Sequence, residues 1–343
     1  MSRKLLVVGS NSIHVYNFIA LVEDYFDEVL LLTNEIDTKQ DVSSVAFDFS
    51  LGIHSLKTIA KIRDIAREFN PSVVHIQQAN TYAFLTTLAL KNTNIPLVLT
   101  AWGSDVLLNP NKSFLLKKML QYVLNNAKVI TADSNHVLTS TQKLVNKKLT
   151  LHNINFGIDF HECKIKEKDN IIYSNRLHMG LYNIDRVIIS FSKFVNIRKN
   201  SHWKLVIAGS GDDTETLKTL VARLKISEHV QFVGFLNSKE NNAYYCKSKI
   251  YVSIPQSDSV SISLVEAILS GCVPFVSNIE ANLELIENRQ NGFIENDLEN
   301  INFDKFLQLD VEKYKATRQK LKVSFSKEYN RNRYIQIYNE ECL

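Results

Sequence analysis

The fold of this chain is decided by the stretch Asp258-Ser-Val-Ser-Ile-Ser-Leu-Val-Glu-Ala-Ile-Leu-Ser-Gly-Cys-Val-Pro274. It follows an apolar run, Lys249–Pro255, that is typical of a buried strand. Ser261 and Ser263 are both candidate N-caps for a helix over residues 264–270, which the following glycine would end. The pattern therefore predicts a strand, a serine-rich turn and a helix N-terminus in succession. Such an N-terminus carries about half a positive charge and favours a bound diphosphate.

Two carboxylates frame this turn. Asp258 precedes it, and Glu266 lies in the predicted helix. One interpretation is that both acids contact a ligand. The other is that Ser263-Leu-Val-Glu266 is a capping box and that Asp258 is an ordinary loop acid. The spacing alone leaves both interpretations open.

The rest of the chain alternates apolar runs with helical patterns, which predicts an α/β fold with parallel sheets covered by helices. The predicted strands are residues 4–9, 28–33, 72–77, 95–101, 128–132, 171–174, 204–208, 230–233, 250–254 and 273–277. They form two series, so we expect two Rossmann-like doubly wound domains facing a cleft. The expected boundaries are 1–160, 170–325 and a helical tail at 326–343 that returns towards the N-terminal domain. The charged stretch His161–Asp169 is the expected linker.

Composition excludes several classes of protein. With 343 residues and a net charge of +4, the chain has neither the basic stripe of a nucleic-acid-binding protein nor an apolar run long enough to cross a bilayer. The cysteines have no CxxC spacing, so we expect no disulfide scaffold, no zinc site and a reducing, cytoplasmic location; they are Cys163, Cys246, Cys272 and Cys342. The first turn, Gly9-Ser-Asn-Ser-Ile-His14, lacks the G-x-G-x-x-G of dinucleotide-binding oxidoreductases. A second turn, Gly209-Ser-Gly211, lacks the third glycine.

The Asp258-to-Glu266 stretch resembles the acid-x7-Glu signature of retaining family-four glycosyltransferases, which have the GT-B fold. The family usually has Glu at the first position, where this chain has the shorter Asp. Other segments resemble the family in order along nearly the whole chain; they are Asn70–Gln77, Thr100–Asp105, Asn155–Asp159, Ala208–Asp213, Phe232–Phe235, Asn282–Glu284 and Asn291–Gly292.

The resemblance implies roles for individual residues of the second domain. Asp258 would hold sugar hydroxyls and Glu266 the ribose of a nucleotide-sugar donor. Arg176 would face the diphosphate, and further donor contacts would come from Ile262, Ser263, Leu264, Gly209 and Gly234. The family commonly adds a lysine about five residues after the arginine, but Leu181 and Tyr182 occupy that region here. An alternative is that Arg176 pairs with Asp185 at the surface.

In the first domain, the resemblance implies that Asp105 reaches the donor sugar as a third catalytic residue and that Gly9 and Ser10 border the donor. His14 and Trp102 are further candidates for the cleft, although His14 is equally typical of a surface or core residue. His75, at a strand position, is expected to be an interior residue.

These features predict metal-independent transfer, with retention, of a sugar from a UDP- or GDP-type donor to an acceptor hydroxyl. No cofactor, no metal and no nucleic-acid partner is expected. A glycan or lipid-linked acceptor in surface polysaccharide synthesis fits the resemblance. The alternatives are a non-catalytic GT-B partner subunit and a nucleotide-sugar epimerase. The amphipathic segment Lys112–Leu124 is either a peripheral contact with the inner face of the cytoplasmic membrane or a helix packed on the sheet.

Overall fold

In the computed structural model, which describes residues 2–160, 162–165 and 167–343, the chain folds into two α/β units. The first unit comprises the residues up to Gly157 together with Lys327–Leu343, and the second comprises Ile158–Ser326. The expected linker His161–Asp169 therefore belongs to the second unit, although His161 and Lys166 lie outside the described residues.

The first unit is built on a parallel sheet. Its strands are β1 (Lys4–Val8), β2 (Glu28–Thr33), β3 (Ser44–Ala46), β4 (Val73–Gln77), β5 (Leu97–Ala101), β6 (Val129–Ala132) and β7 (Leu151–Asn153). Their order is β3-β2-β1-β4-β5-β6-β7. The helices up to Gly157 are α1 (Ile13–Val22), α2 (Ser55–Phe69), α3 (Thr81–Ala89), α4 (Ser104–Leu107), α5 (Asn109–Lys112), α6 (Phe114–Asn126) and α7 (Asn135–Lys143).

The second unit has the same kind of architecture. Its strands are β8 (Asp169–Ser174), β9 (Lys204–Ala208), β10 (Val230–Gly234), β11 (Ser248–Ser253), β12 (Val273–Ser277) and β13 (Phe293–Glu295). They form a parallel sheet in the order β10-β9-β8-β11-β12-β13. Its helices are α8 (Ile184–Val195), α9 (Thr214–Arg223), α10 (Ser238–Lys247), α11 (Ile262–Leu269), α12 (Glu280–Leu283) and α13 (Val311–Ser324).

Both faces of each sheet are buried, which is why the strands are continuous apolar runs. In β1, Leu6 and Val8 pack against the layer of α2, α3, α6 and α7, whereas Leu5 and Val7 pack against α1. The last helix, α14 (Lys327–Ile337), completes this second layer with residues that include Tyr334. The predicted Rossmann-like fold class is confirmed for each unit.

Some local predictions were wrong. The amphipathic segment Lys112–Leu124 is not one continuous helix, because α5 ends at Lys112 and α6 begins after the extended residue Ser113. The short edge strands β3, β7 and β13 were not expected, since three residues are too few for a pattern. Among the described residues, no helix combines the length and the apolar character needed to cross a membrane.

The spacing of the cysteines, which predicted no disulfide scaffold, did not reveal one disulfide. Cys163 and Cys246 form a disulfide with their Cα atoms 5.3 Å apart, whereas Cys272 and Cys342 are free thiols. The two half-cystines are 83 residues apart, and they meet only because the start of the second unit runs past the last turn of α10. The expectation of a reducing compartment therefore has no support from cysteine usage.

Candidate functional site

The N-terminus of α11 is capped by a serine. Ser261 lies in an extended conformation and its Oγ accepts a hydrogen bond from the backbone N–H of Leu264, with an N–O distance of 3.4 Å. The helix thus begins at Ile262, two residues before the predicted start, and Ser261 rather than Ser263 is the cap. The first N–H groups of a helix have no acceptors within it, so this turn offers donors and a positive potential to an anion.

Glu266 is not part of a capping box. It is the fifth residue of α11, whereas a capping box around Ser261 would require the acid at Leu264. The carboxyl group instead lies near the hydroxyl of Tyr245. Burial raises the pKa of Glu266, and the hydrogen bond with Tyr245 partly opposes that rise. Glu266 is half-buried beside this turn.

Arg176, which follows β8, reaches the same turn. Its Nη2 forms an ion pair with Asp258 Oδ2 at 2.7 Å, and its Nη1 donates to Ser261 Oγ at 2.8 Å. Asp258 also accepts from the backbone N–H of Ser259 at 3.0 Å. Burial raises the pKa of Asp258, while Arg176 acts in the opposite direction. The alternative pairing of Arg176 with Asp185 is therefore wrong, and a guanidinium stands beside the helix N-terminus.

Tyr182 occupies the region where the family commonly has a lysine. Its ring lies under the guanidinium of Arg176, with 4.4 Å between the guanidinium carbon and the ring centroid. Burial lowers the pKa of Arg176, but Asp258 outweighs this effect with help from Tyr182 and the neighbouring Tyr251, and the net direction is upward. The aromatic ring thus supports the guanidinium from below.

A layer of amide and hydroxyl groups fixes the residue next to Arg176. Asn175 Nδ2 donates to Tyr245 Oη at 2.7 Å and to Asn241 Oδ1 at 3.0 Å, and its Oδ1 accepts from Tyr251 Oη at 2.9 Å. Burial raises the pKa of Tyr251 to about 12, so its hydroxyl stays protonated and donates. These supporting residues were missed by the sequence interpretation, since their positions are typical of an ordinary helix and a buried strand.

The predicted glycines allow two turns to approach each other. Gly209 has a φ of +106°, and a Cβ atom there would lie 2.5 Å from the carbonyl oxygen of Arg176. At Gly211 it would lie 2.4 Å from the carbonyl oxygen of His178. Gly209 N–H also donates to the carbonyl of Gly234 at 2.7 Å. These glycines bring the turn after β9 against the segment that carries Arg176.

Several predicted residues of the first unit meet at the carboxyl ends of β1, β4 and β5. A Cβ atom at Gly9, beside Ser10, would lie 2.9 Å from Val15 Cγ2, so the glycine lets α1 start close to the strand. The ring of Trp102 lies 5.4 Å from the ring of His14, which is exposed. The indole Nε1 of Trp102 donates to Gln77 Oε1 at 3.2 Å.

The buried carboxylate of Asp105 accepts hydrogen bonds from the backbone of two turns. Its side chain is 1% exposed. The carboxylate accepts from the backbone N–H groups of Ala79 at 2.7 Å, of Trp102 at 3.1 Å and of Val106 at 3.1 Å. It thereby joins the turns after β4 and β5. That Asp105 also contacts a donor sugar remains a prediction.

The comparisons with known proteins agree with this geometry. Residues 158–304 match the family model "Glycosyl transferases group 1", and residues 4–134 match "Glycosyl transferase 4-like". The crystal structure of Anabaena HepE in complex with UDP superposes with a TM-score of 0.83 at 13% identity, covering 98% of this chain and 99% of that one. The chain belongs to the group 1 glycosyltransferase family and has the GT-B fold.

Two curated relatives align with this chain over only part of their lengths. The N-acetyl-alpha-D-glucosaminyl L-malate synthase of Bacillus anthracis is 24% identical over 258 residues, which cover 70% of this chain and 65% of that protein. The alpha-monoglucosyldiacylglycerol synthase of Streptococcus pneumoniae is 22% identical over 241 residues, which cover 62% of this chain and 53% of that protein. The chain thus aligns with about two thirds and about half of their lengths.

The glycosyltransferase has a cavity of about 530 Å³ in its first unit that sequence reasoning missed. It is lined by Asn34, Ala46, Phe47, Asp48, Phe49, Ser50, Thr81 and Tyr82. Phe49 and Tyr82 stack with their ring centroids 4.2 Å apart, which forms an aromatic wall. The lining comes from the segments after β2 and β3 and from the start of α3, so no single motif marks it.

His75 of the glycosyltransferase is an interior residue, as predicted. Its Nδ1 lies 2.7 Å from Tyr338 Oη and its Nε2 lies 2.7 Å from Thr100 Oγ1. Burial lowers the pKa of His75 to about 3. Both ring nitrogens are engaged, and the side chain links β4 to the C-terminal segment of the first unit.

Proposed function

We propose that this glycosyltransferase moves a hexosyl or related sugar, with retention and without a metal ion, from a UDP-sugar to an acceptor hydroxyl. The acceptor would be a saccharide or a lipid-linked glycan in surface polysaccharide synthesis on the cytoplasmic side. The observation that carries the proposal is the Arg176 guanidinium, held by Asp258 and Ser261 beside the N-terminus of α11.

This arrangement suits a departing diphosphate. Negative charge grows on the leaving group as the bond to the sugar breaks, and prepositioned donors stabilise it without reorganising. Arg176 supplies a permanent cation, and the first turn of α11 supplies N–H groups. These groups would perform the electrostatic role for which other enzymes use a divalent cation.

Two acids would then hold the sugar and the nucleoside. Asp258 Oδ2 pairs with Arg176, and its Oδ1, which accepts from the backbone N–H of Ser259, would also accept from a sugar hydroxyl. Glu266, supported by Tyr245, would accept from the ribose hydroxyls. The departing diphosphate would accept the proton of the acceptor hydroxyl on the same face of the sugar, which gives retention.

The relatives support the choice of a uridine nucleotide. HepE has been solved with UDP and with UDP-glucose. The two curated relatives are named for transfer to malate and to a diacylglycerol lipid, so family members of this type serve different acceptors. The relatives therefore support the choice of donor nucleotide. The identity of the acceptor must be inferred from the surface of this chain.

Calorimetric titration with UDP, GDP and their sugars tests the donor site. We expect selective UDP binding that Glu266→Ala weakens at least tenfold, because two charge-assisted hydrogen bonds are lost. Arg176→Ala should lower the rate of UDP release from a UDP-sugar by about 100-fold or more while weakening binding of the intact UDP-sugar much less, because the leaving-group charge develops only as the bond to the sugar breaks.

Arg186→Ala is the matched control, because Arg186 is a half-exposed arginine of α8 in the same unit and pairs with Glu299. It should change neither quantity. Equal losses in binding and rate for Arg176→Ala would contradict its leaving-group role. Absence of binding to every nucleotide would favour the non-catalytic partner subunit.

A further inference from the structure

The second unit has a cavity of about 340 Å³ beside its disulfide. Cys163 is part of the lining, and so are Lys315, Arg318 and Lys322 of α13. These three cations are spaced three and four residues apart, so they lie on one face of the helix. We call this cavity the basic cavity. One half of a disulfide and a row of cations thus share the same space.

The positive charge of the basic cavity is only partly neutralised. Lys322 pairs with Glu162, which also lines the cavity, at 2.8 Å, and Lys315 pairs with the exposed Glu312 at 2.9 Å. Arg318 has no acid partner among the residues that the structure describes, and its Nη2 donates to the last backbone carbonyl of α11. A guanidinium without an acid favours a ligand that carries carboxylates.

Cys163 is the accessible half of the disulfide. It is partly exposed and lines the basic cavity, whereas Cys246 is only 6% exposed. A thiolate in the cavity would therefore attack Sγ of Cys163, and Cys246 would be the leaving sulfur. Lys168 Nζ donates to the carbonyl oxygen of Cys246 at 3.0 Å, so an ammonium lies near the departing thiolate. Cations near a thiol also raise the fraction that is ionised.

We propose that the basic cavity binds a small thiol that carries carboxylates, and that this thiol converts Cys163 into a mixed disulfide. The thiol loses its proton to water, and its sulfur bonds to Cys163 Sγ as the bond between Cys163 and Cys246 breaks. Cys246 leaves as a thiolate and takes up a proton. A second thiol would release Cys163 as a free thiol and form the small-molecule disulfide. Two electrons thus pass from two thiols to the protein disulfide.

Opening the disulfide would act on the donor residues through α10. Tyr245 directly precedes Cys246, and its hydroxyl accepts from Asn175 Nδ2 at 2.7 Å and is hydrogen-bonded to Glu266. The disulfide ties the last turn of α10 to the start of the second unit, so its loss leaves Tyr245 less firmly placed. We expect the mixed disulfide to bind UDP about three- to tenfold more weakly, an effect that rests on the proposed function.

Thiol exchange with the native, disulfide-bonded chain tests the basic cavity. The probes are reduced glutathione, which has a net negative charge, and cysteamine, which has a positive one. Mass spectrometry measures the mixed disulfide at Cys163, and each rate is divided by the rate of the same thiol with a small neutral disulfide. After this correction, glutathione should react at least about tenfold faster than cysteamine at low salt, and raised salt should reduce the difference.

Lys315→Glu reverses one charge of the basic cavity and should lower the advantage of glutathione at least about threefold. Lys218→Glu is the matched control, because each of these exposed lysines pairs with a glutamate three residues earlier on its helix. It should leave both rates unchanged. Equal corrected rates for the two thiols, or an undiminished advantage in Lys315→Glu, would overturn the inference.

Calorimetric titration of the glutathione-modified chain with UDP tests the link to the donor site. An affinity equal to that of the disulfide-bonded chain would refute the link through Tyr245. Absence of UDP binding to both forms would refute the proposed function instead. The exchange rates need no nucleotide, so they test the basic cavity whichever of these results is obtained.

Discussion

Changing Asp258 to Asn removes one partner of the Arg176 ion pair while keeping the size of the side chain. The pair joins Nη2 and Oδ2 at 2.7 Å, and the two side chains are only 11% and 22% exposed. Breaking a fully buried pair costs about 3–5 kcal/mol, since a charge is left without a partner. Because some solvent reaches both groups and Tyr182 still supports the guanidinium, we expect a loss of about 1–3 kcal/mol.

This loss is measurable in the second unit by differential scanning calorimetry. For a unit of its size it corresponds to a fall in Tm of about 3–10 °C. The effect of UDP should have the opposite sign. Removal of the carboxylate deletes a negative charge next to the proposed diphosphate site, so the Asp258→Asn chain should bind UDP more tightly by about three- to tenfold. The same variant should turn over a UDP-sugar more slowly, because the proposed hydroxyl contact is weakened.

Asp185→Asn is the control, since Asp185 is an exposed acid at the start of α8 without a role in the site. It should leave UDP affinity unchanged and lower stability by less than about 1 kcal/mol. An Asp258→Asn variant that binds UDP no better than the wild-type chain would show that the diphosphate does not lie beside Arg176. The proposed arrangement of the donor would then be wrong.

Three further changes test the structure. Gly209→Ala should destabilise the second unit by about 2 kcal/mol or more in chemical denaturation, because the new Cβ would lie 2.5 Å from the carbonyl oxygen of Arg176. Gly180→Ala is the control and should not destabilise the unit, because no atom lies within 4 Å of its new Cβ. Burial lowers the pKa of His75 to about 3, below the ordinary value of 6.5, so unfolding takes up a proton between these values and stability falls as the pH drops below 6.5. His75→Gln should flatten that dependence by roughly 1.4 kcal/mol per pH unit, and an unchanged slope would contradict it. Cys163→Ser should lower the free energy of unfolding by up to about 4 kcal/mol by opening a crosslink between residues 83 apart. Thiol labelling of the denatured, unreduced wild-type chain checks the bond itself, and four labelled thiols would refute it.

The long strands and the N-terminus of α11 could be predicted because they depend on local pattern. Strands buried on both faces are uninterrupted apolar runs, and β9 and β12 were predicted with their observed bounds. The turn at Ser261 could be placed within two residues, because serines before an apolar run compete for the cap and the sequence does not say which one wins.

The partners within the site could not be predicted in the same way. Arg176 and Asp258 are 82 residues apart, and both Asp258 and Asp185 are reasonable partners for an arginine until the order of the strands is known. In the sequence, Tyr182 only marked the absence of the expected lysine. Its contact with Arg176 could not be predicted, because it depends on the path of the chain between β8 and α8. The cavity in the first unit is lined by three segments that are separate in the sequence, and only the arrangement of the sheet brings them together. No single motif could therefore predict it.

The return of the last helix to the first unit has a consequence for synthesis on the ribosome. Tyr334, Ile337 and Tyr338 are buried against α1, and they belong to one of the two core layers of the first sheet. The residues of the second unit, Ile158–Ser326, all emerge before that layer can be completed. A nascent chain paused after Ser326 would therefore present the uncovered apolar surface of α1 to chaperones and proteases. The unit that is made first is the one that finishes folding last.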